Sequence, residues 1–279
     1  LTIMSMPFGG PLKERNINKL ATINKELSSL KPKRKHYQYY FSSKSAASNI
    51  INSRQGLKKF LRSYFYFKSY DYPFNKPFKL NSFTAIELAK MPEYYIMKYN
   101  LGMAQTVLNF TPSQHEINNC KWLTEKDLLI YYNNFKLRGI QEPLNWYKVM
   151  LSLREQKKLI NLKLPSIISI PSLFIAGEAD WGIYQKPGEL EKMESLFFNN
   201  YAGTKIIKKA GHWVQQEKPA ETFKEIISFL RSYGATLKEF HFLGEAYPVA
   251  ILKNCCTSSD ILLSQVNNDK SVYILAVII

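Results

Sequence analysis

The stretch SIPSLFIAGEADWG, residues 169–182, constrains the fold of this 279-residue chain more than any other. Its near-continuous apolar run lacks the alternation of a half-solvated strand, so it predicts a strand covered on both faces, as in a parallel sheet. The run ends in Gly-Glu-Ala-Asp and so delivers Asp180 at the carboxyl end of the strand, where open α/β sheets gather functional groups. The following residues supply the crossovers that parallel strands need. Residues 186–200 read as a helix, TKIIKK (204–209) as a strand, GHW as a loop carrying His212, and 218–234 as a helix closed by Gly234. Strand, acid, helix, strand, histidine, helix is an α/β order, and it places Asp180 and His212 at one sheet edge. There the carboxylate accepts from the imidazole and fixes its tautomer. The same two residues also read as a helix N-cap and a satisfied loop histidine. Trp181 and Trp213 beside them suggest an apolar pocket, or simply core.

The rest of the chain divides around this pattern. Residues 1–12 read as a strand ending at Phe-Gly-Gly-Pro, and 13–160 as a helical domain rich in aromatics and lysines. Within it, 45–67 places Leu57, Phe60, Leu61 and Tyr64 on one face. In 124–139 a capping Thr124 is followed by acids in the first turn and by Gly139 after the last, and 143–159 starts a helix at a proline. The α/β pattern resumes over 161–233. Residues 234–279 carry no consistent period and are unassigned, with SVYILAVII (271–279) reading as a strand or a sticky end.

Composition narrows the function classes. A hydrophobic content of 46% in 32.4 kDa excludes compositional disorder. The net charge of +16 invites a nucleic-acid reading, yet only KPKRK (31–35) is a dense basic run, which reads as a solvated loop or helix end; specific nucleic-acid binding is not expected. Cys120, Cys255 and Cys256 fit neither a disulfide framework nor a zinc site, so no metal or other cofactor is expected and a reducing, cytoplasmic location is. No apolar run approaches the ~20 residues that span a bilayer. Three other histidines are set aside as bases: His36 as solvated beside the lysine run or else lining the pocket entrance, His115 as a cap at a turn or helix start, and His241 in the unassigned tail.

GEADWG and AGHWVQQEKP resemble the acid and histidine segments of the α/β-hydrolase superfamily. HYQYYF (36–41), residues 122–148 and SLFIAGEADWGIYQKPG (172–188) resemble epoxide hydrolases of the soluble type, and SMPFGGP is similar to the strand end leading into their lid. The resemblance covers 1–233. It implies an α/β fold with an incomplete α/β-hydrolase core and an inserted helical lid over 13–160. It also implies opening of small hydrophobic epoxides to diols through an alkyl-enzyme ester. In that chemistry Tyr37 and Tyr147 donate hydrogen bonds to the epoxide oxygen, His212 activates the hydrolytic water, Asp180 orients His212, and Trp146, Trp181 and Trp213 contact substrate. Phenols suit the task because ring opening builds negative charge on oxygen that a desolvated donor can meet. Neither G-x-[DSC]-x-G nor a His-Gly-x-Pro turn occurs in the sequence, so the expectation is a C-terminal portion, inactive by itself, whose sheet has at least one open edge. Other lidded hydrolases, such as a haloalkane dehalogenase or an esterase, and a non-catalytic remnant are the alternatives. The sequence does not fix an oligomeric state.

Overall fold

The computed structural model describes residues 1–234. In chain order the elements are β1 (Thr2–Met4), α1 (Lys19–Ser29), β2 (Arg34–His36), α2 (Tyr37–Ser42), α3 (Ala46–Ile51), α4 (Leu57–Lys68), α5 (Ala85–Leu88), β3 (Ile96–Lys98), α6 (Met103–Leu108), α7 (Gln114–Asn119), α8 (Glu125–Arg138), α9 (Gln141–Leu151) and α10 (Leu153–Asn161). Then come β4 (Ser172–Gly177), α11 (Glu189–Leu196), β5 (Tyr201–Ile207), α12 (Val214–Glu217) and α13 (Pro219–Ser232). His241, Cys255, Cys256 and the strand expected at 271–279 lie outside the described residues.

β4 is the centre of a three-stranded parallel sheet ordered β1-β4-β5. All six of its residues are buried, and alternate side chains serve opposite layers. Leu173 and Ile175 pack with Ile207, Val214, Ile227, Phe229 and Leu230 on the α13 side. Phe174 and Ala176 pack with Ile183 and Met193 on the α11 side. Both faces of the strand meet apolar layers, so Leu173 to Ala176 show no alternation, and the buried Ser172 hydroxyl at its start is satisfied by Ile170 O at 2.9 Å. Among the described residues β1 and β5 each have one unpaired edge.

Residues 13–160 enclose a larger, aromatic core. Leu57, Phe60 and Leu61 on α4 are buried, and Phe67 stacks on Phe110 with ring centroids 3.8 Å apart. α8 starts where the sequence expects, because Thr124 and Asp127 cap it reciprocally, and Gly139 leaves it at φ +77. Trp181 and Trp213 belong to this core, so it is continuous with the loops of the sheet.

Several local expectations change. The 45–67 helix is two helices, α3 and α4, separated at Gly56 with φ +78. The 143–159 helix begins earlier, at Gln141, and breaks at Ser152, whose hydroxyl accepts the Glu155 N–H to start α10. The helix at 186–200 shrinks to α11, and the strand at 204–209 shifts to 201–207 because Lys209 turns left-handed and gives its N–H to Glu178 Oε1 at 2.7 Å. The basic run at 31–35 leads into β2, which pairs antiparallel with β3, and His36 is buried rather than solvated. Its backbone N–H reaches Asn24 Oδ1 at 2.8 Å and its Nδ1 caps α2 by accepting from Gln38 N, so tertiary packing overrides the local charge.

The helical region meets the sheet where the end of α4 touches the β5–α12 loop. A Cβ on Gly211 would lie 2.6 Å from Ser69 C and Tyr70 N and 2.7 Å from Lys68 O, all backbone atoms that cannot rotate away. Gly211→Ala is therefore expected to destabilise the fold by about 1–3 kcal/mol. Urea unfolding measures this, and a change below about 0.5 kcal/mol would contradict the close approach.

Candidate active site

Asp180 follows β4 and His212 follows β5, so adjacent parallel strands bring the two to one end of the sheet. His212 Nδ1 lies 3.0 Å from Asp180 Oδ1, which also accepts the Gly182 N–H at 2.7 Å. The carboxylate thus caps the short turn at Trp181–Ile183 while it holds the imidazole. The two roles that looked like alternatives in the sequence are filled by one residue. Burial alone pushes the Asp180 carboxyl up, but the charge and hydrogen bond of His212, the Gly182 N–H and the Lys68 cation outweigh it and hold the group below its ordinary value. An ionised Asp180 is an acceptor, so Nδ1 of His212 donates to it.

The histidine loop is itself held by a residue that sequence reading passed over. Glu217 is buried, and its carboxylate accepts N–H groups from Gly211 at 2.9 Å, Trp213 at 3.0 Å and Tyr70 at 2.8 Å. Two of these donors flank His212, and the third belongs to the helical region. Two further bonds run the other way: His212 N–H to Lys68 O at 3.0 Å, and Trp213 Nε1 to Phe65 O at 2.8 Å. His212 is thereby fixed against the end of α4.

His212 lines a cavity of about 650 Å³ with β1 and the helical region forming other walls. Tyr37, at the start of α2, is on the lining, with its hydroxyl accepting from Gln38 Nε2 at 3.2 Å and donating to Gln185 Oε1 at 3.4 Å. Tyr147 on α9 is buried behind it, with ring centroids 5.8 Å apart, and its hydroxyl makes no hydrogen bond among the described residues. Burial raises the pKa of both phenols, so both are protonated donors at neutral pH.

Of the three tryptophans expected at substrate, Trp146 and Trp213 line the cavity, with Trp146 half exposed at its rim. Trp181 does not line it; its ring packs edge-on against Phe78, 4.9 Å between centroids. Sequence reading missed Gln38, Gln185, Lys68 and Glu217. Gln38 and Gln185 sit beside matched motif residues, which was the available signal; nothing local marked Lys68 or Glu217. Glu189 is the one acid on the lining among the described residues, and it sits in the first turn of α11 with its carboxylate against Gly9. No group of His, Cys, Asp and Glu suited to a metal ion occurs among the described residues, nor does a helix long and apolar enough to cross a membrane.

No family model matches the chain. Epoxide hydrolase B of Mycobacterium tuberculosis is 33% identical over 115 residues, 39% of this chain and 30% of that protein. Bifunctional epoxide hydrolase 2 of Rattus norvegicus is 30% identical over 126 residues, 45% of this chain and 21% of that protein. The chain thus spans about a third or less of the curated relatives it matches. An epoxide hydrolase structure from an endophytic Streptomyces superposes with a TM-score of 0.62 at 20% identity, covering 83% of this chain and 60% of that one. Potato (Solanum tuberosum) epoxide hydrolase I gives 0.56 at 20% identity, covering 83% and 61%.

Burial raises the Glu217 carboxyl to about 7 against the pull of its three backbone donors, with Asp71 adding to the rise. The folded state then binds more protons than the unfolded state between the ordinary value of 4.5 and about 7. Stability from this group is fullest below the unfolded value and falls as pH rises through that window. Urea midpoints measured from pH 4 to 8 should show this slope in the native protein and lose it in Glu217→Gln; an equal slope in both would contradict the assignment.

Proposed function

We propose that this chain, which belongs to the epoxide hydrolase-like α/β-hydrolases, binds small hydrophobic epoxides and supplies the phenol donors and the histidine base for their hydrolysis. The observation that carries this reading is the meeting of two kinds of group around one cavity. A buried Asp180–His212 pair stands on the sheet side, and Tyr37, backed by Tyr147, stands on the helical side.

The pair orients a water for attack on an ester, because an imidazole with its Nδ1 proton held by carboxylate presents a basic Nε2. The phenols meet the negative charge that grows on oxygen as the ring opens, and their desolvated setting strengthens those hydrogen bonds. Tyr37 must exchange Gln185 for the epoxide oxygen to do this, and its 3.4 Å bond is long enough to give up at small cost. An esterase or a dehalogenase would need no such phenols, which is why the epoxide is the favoured substrate. A cytoplasmic location belongs to the same proposal and is supported by Cys120, which stands as a free thiol raised to about 11 by burial.

The ring-opening carboxylate is not among the described lining residues, where the only acid is Glu189 beside Gly9. The 279-residue chain by itself is therefore expected to form no diol from styrene oxide above a His212→Ala background, and product analysis showing turnover above it would overturn that expectation. Binding tests the donor roles without requiring turnover. Tryptophan fluorescence titration with styrene oxide should weaken by about 1 kcal/mol, roughly five-fold in Kd, in Tyr147→Phe and again in Tyr37→Phe. Ethylbenzene, which lacks the oxygen, should be indifferent to both. Equal losses for the two ligands would mean that the tyrosines only shape the cavity, and the epoxide reading would fall.

A further inference from the structure

Lys68 ends α4, and its carbonyl takes the His212 N–H at 3.0 Å, so its side chain is rooted beside the base. It is only 4% exposed, yet it lines the cavity. Its Nζ lies 5.2 to 5.7 Å from the ring centroids of Tyr64, Tyr94, Tyr95 and Trp213. Ring faces attract a cation but offer no lone pair to its N–H groups, and Nζ has no hydrogen bond or ion pair among the described residues. The aromatic wall continues toward the proposed donors: Tyr95 lies 5.1 Å from Tyr37, which lies 5.8 Å from Tyr147, centroid to centroid.

We propose that Lys68 is a modification site at which the cavity captures a small apolar epoxide covalently as a β-hydroxyalkyl amine. The neutral ε-nitrogen gives its lone pair to a ring carbon, and the bond from that carbon to oxygen breaks with its electron pair leaving on oxygen. The oxygen takes the Tyr37 proton, and the new ammonium loses one proton, which returns to the phenolate through solvent. The adduct is the sum of amine and epoxide, with nothing oxidised or reduced. Burial supports the step by drawing the amine down to about 7, although the Asp180 charge opposes this, whereas a solvated lysine is almost wholly protonated. The capture needs no nucleophilic carboxylate. It rests on the hydrolase reading only in requiring that the cavity admit an epoxide.

The test is peptide mapping by mass spectrometry after the full 279-residue chain is incubated with styrene oxide from pH 6 to 9. Lys68 should be labelled at least about ten-fold faster than any solvated lysine, because an amine near about 7 is neutral at least roughly twenty-fold more often than one at ~10.4 throughout this pH range. Its rate should fall as pH drops through about 7, and Lys68→Met should lose the label while its circular dichroism spectrum is unchanged. Labelling that follows surface exposure, or that falls on His212 with Lys68 untouched, would overturn the proposal. Reductive methylation with formaldehyde and borohydride separates the causes of failure. If methylation favours Lys68 while styrene oxide leaves it bare, and oxygen-dependent binding persists, the capture is wrong and the hydrolase reading stands. If oxygen-dependent binding is lost as well, both are wrong.

Discussion

The site depends first on the carboxylate of Glu217. A loop that holds a buried histidine–carboxylate pair must keep its backbone still, yet the residues around His212 are neither helix nor strand and have no ladder to satisfy their N–H groups. One buried carboxylate takes the N–H on each side of His212 and reaches across to the N–H of Tyr70. It thereby does for a loop what a hydrogen-bond ladder does for a strand, and it couples the helical region to the sheet at His212 itself. Carbonyls at the end of α4 complete the arrangement from the other side, so both polar groups of the crossing find partners. Gly211 is required at this point because any side chain there would strike the backbone of α4's exit.

With the loop held, the electrostatics of the pair follow. Asp180 is almost fully buried and stays ionised because His212, the Gly182 N–H and Lys68 together outweigh desolvation. Burial shifts Lys68, His36 and the phenols the same way, toward their neutral forms, and at those groups it is the larger effect. The buried groups on and behind the cavity thus include one charged acid, two protonated phenols and a neutral His36, with its pKa drawn down to about 3.

The sheet side of this site was legible in the sequence. β4 was visible because a strand buried on both faces cannot alternate, and Asp180 and His212 were visible because they follow consecutive strands. The helical region was less so. His36 looked solvated from its lysine neighbours, whereas its burial is set by Asn24, twelve residues away in sequence, and by α2. The break between α9 and α10 was hidden because apolar spacing runs through Ser152, and only the cap geometry shows the restart. Glu217 and Lys68 left no local signal at all. A glutamate before Lys-Pro reads as a solvated helix start, and a lysine ending an aromatic helix reads as a snorkelling side chain; only the chain crossing at Gly211 gives each its role.

One carboxylate locks the histidine loop to the helical region, and amide hydrogen exchange resolved by NMR tests this most directly. In the native protein the amides of Tyr70, Gly211 and Trp213 should be protected together, and Glu217→Gln should speed exchange at all three by roughly 10- to 100-fold while the β4 amides hold their protection. Unchanged protection in the variant, or a loss confined to Tyr70, would show that His212 is positioned without Glu217 and would contradict this role for the carboxylate.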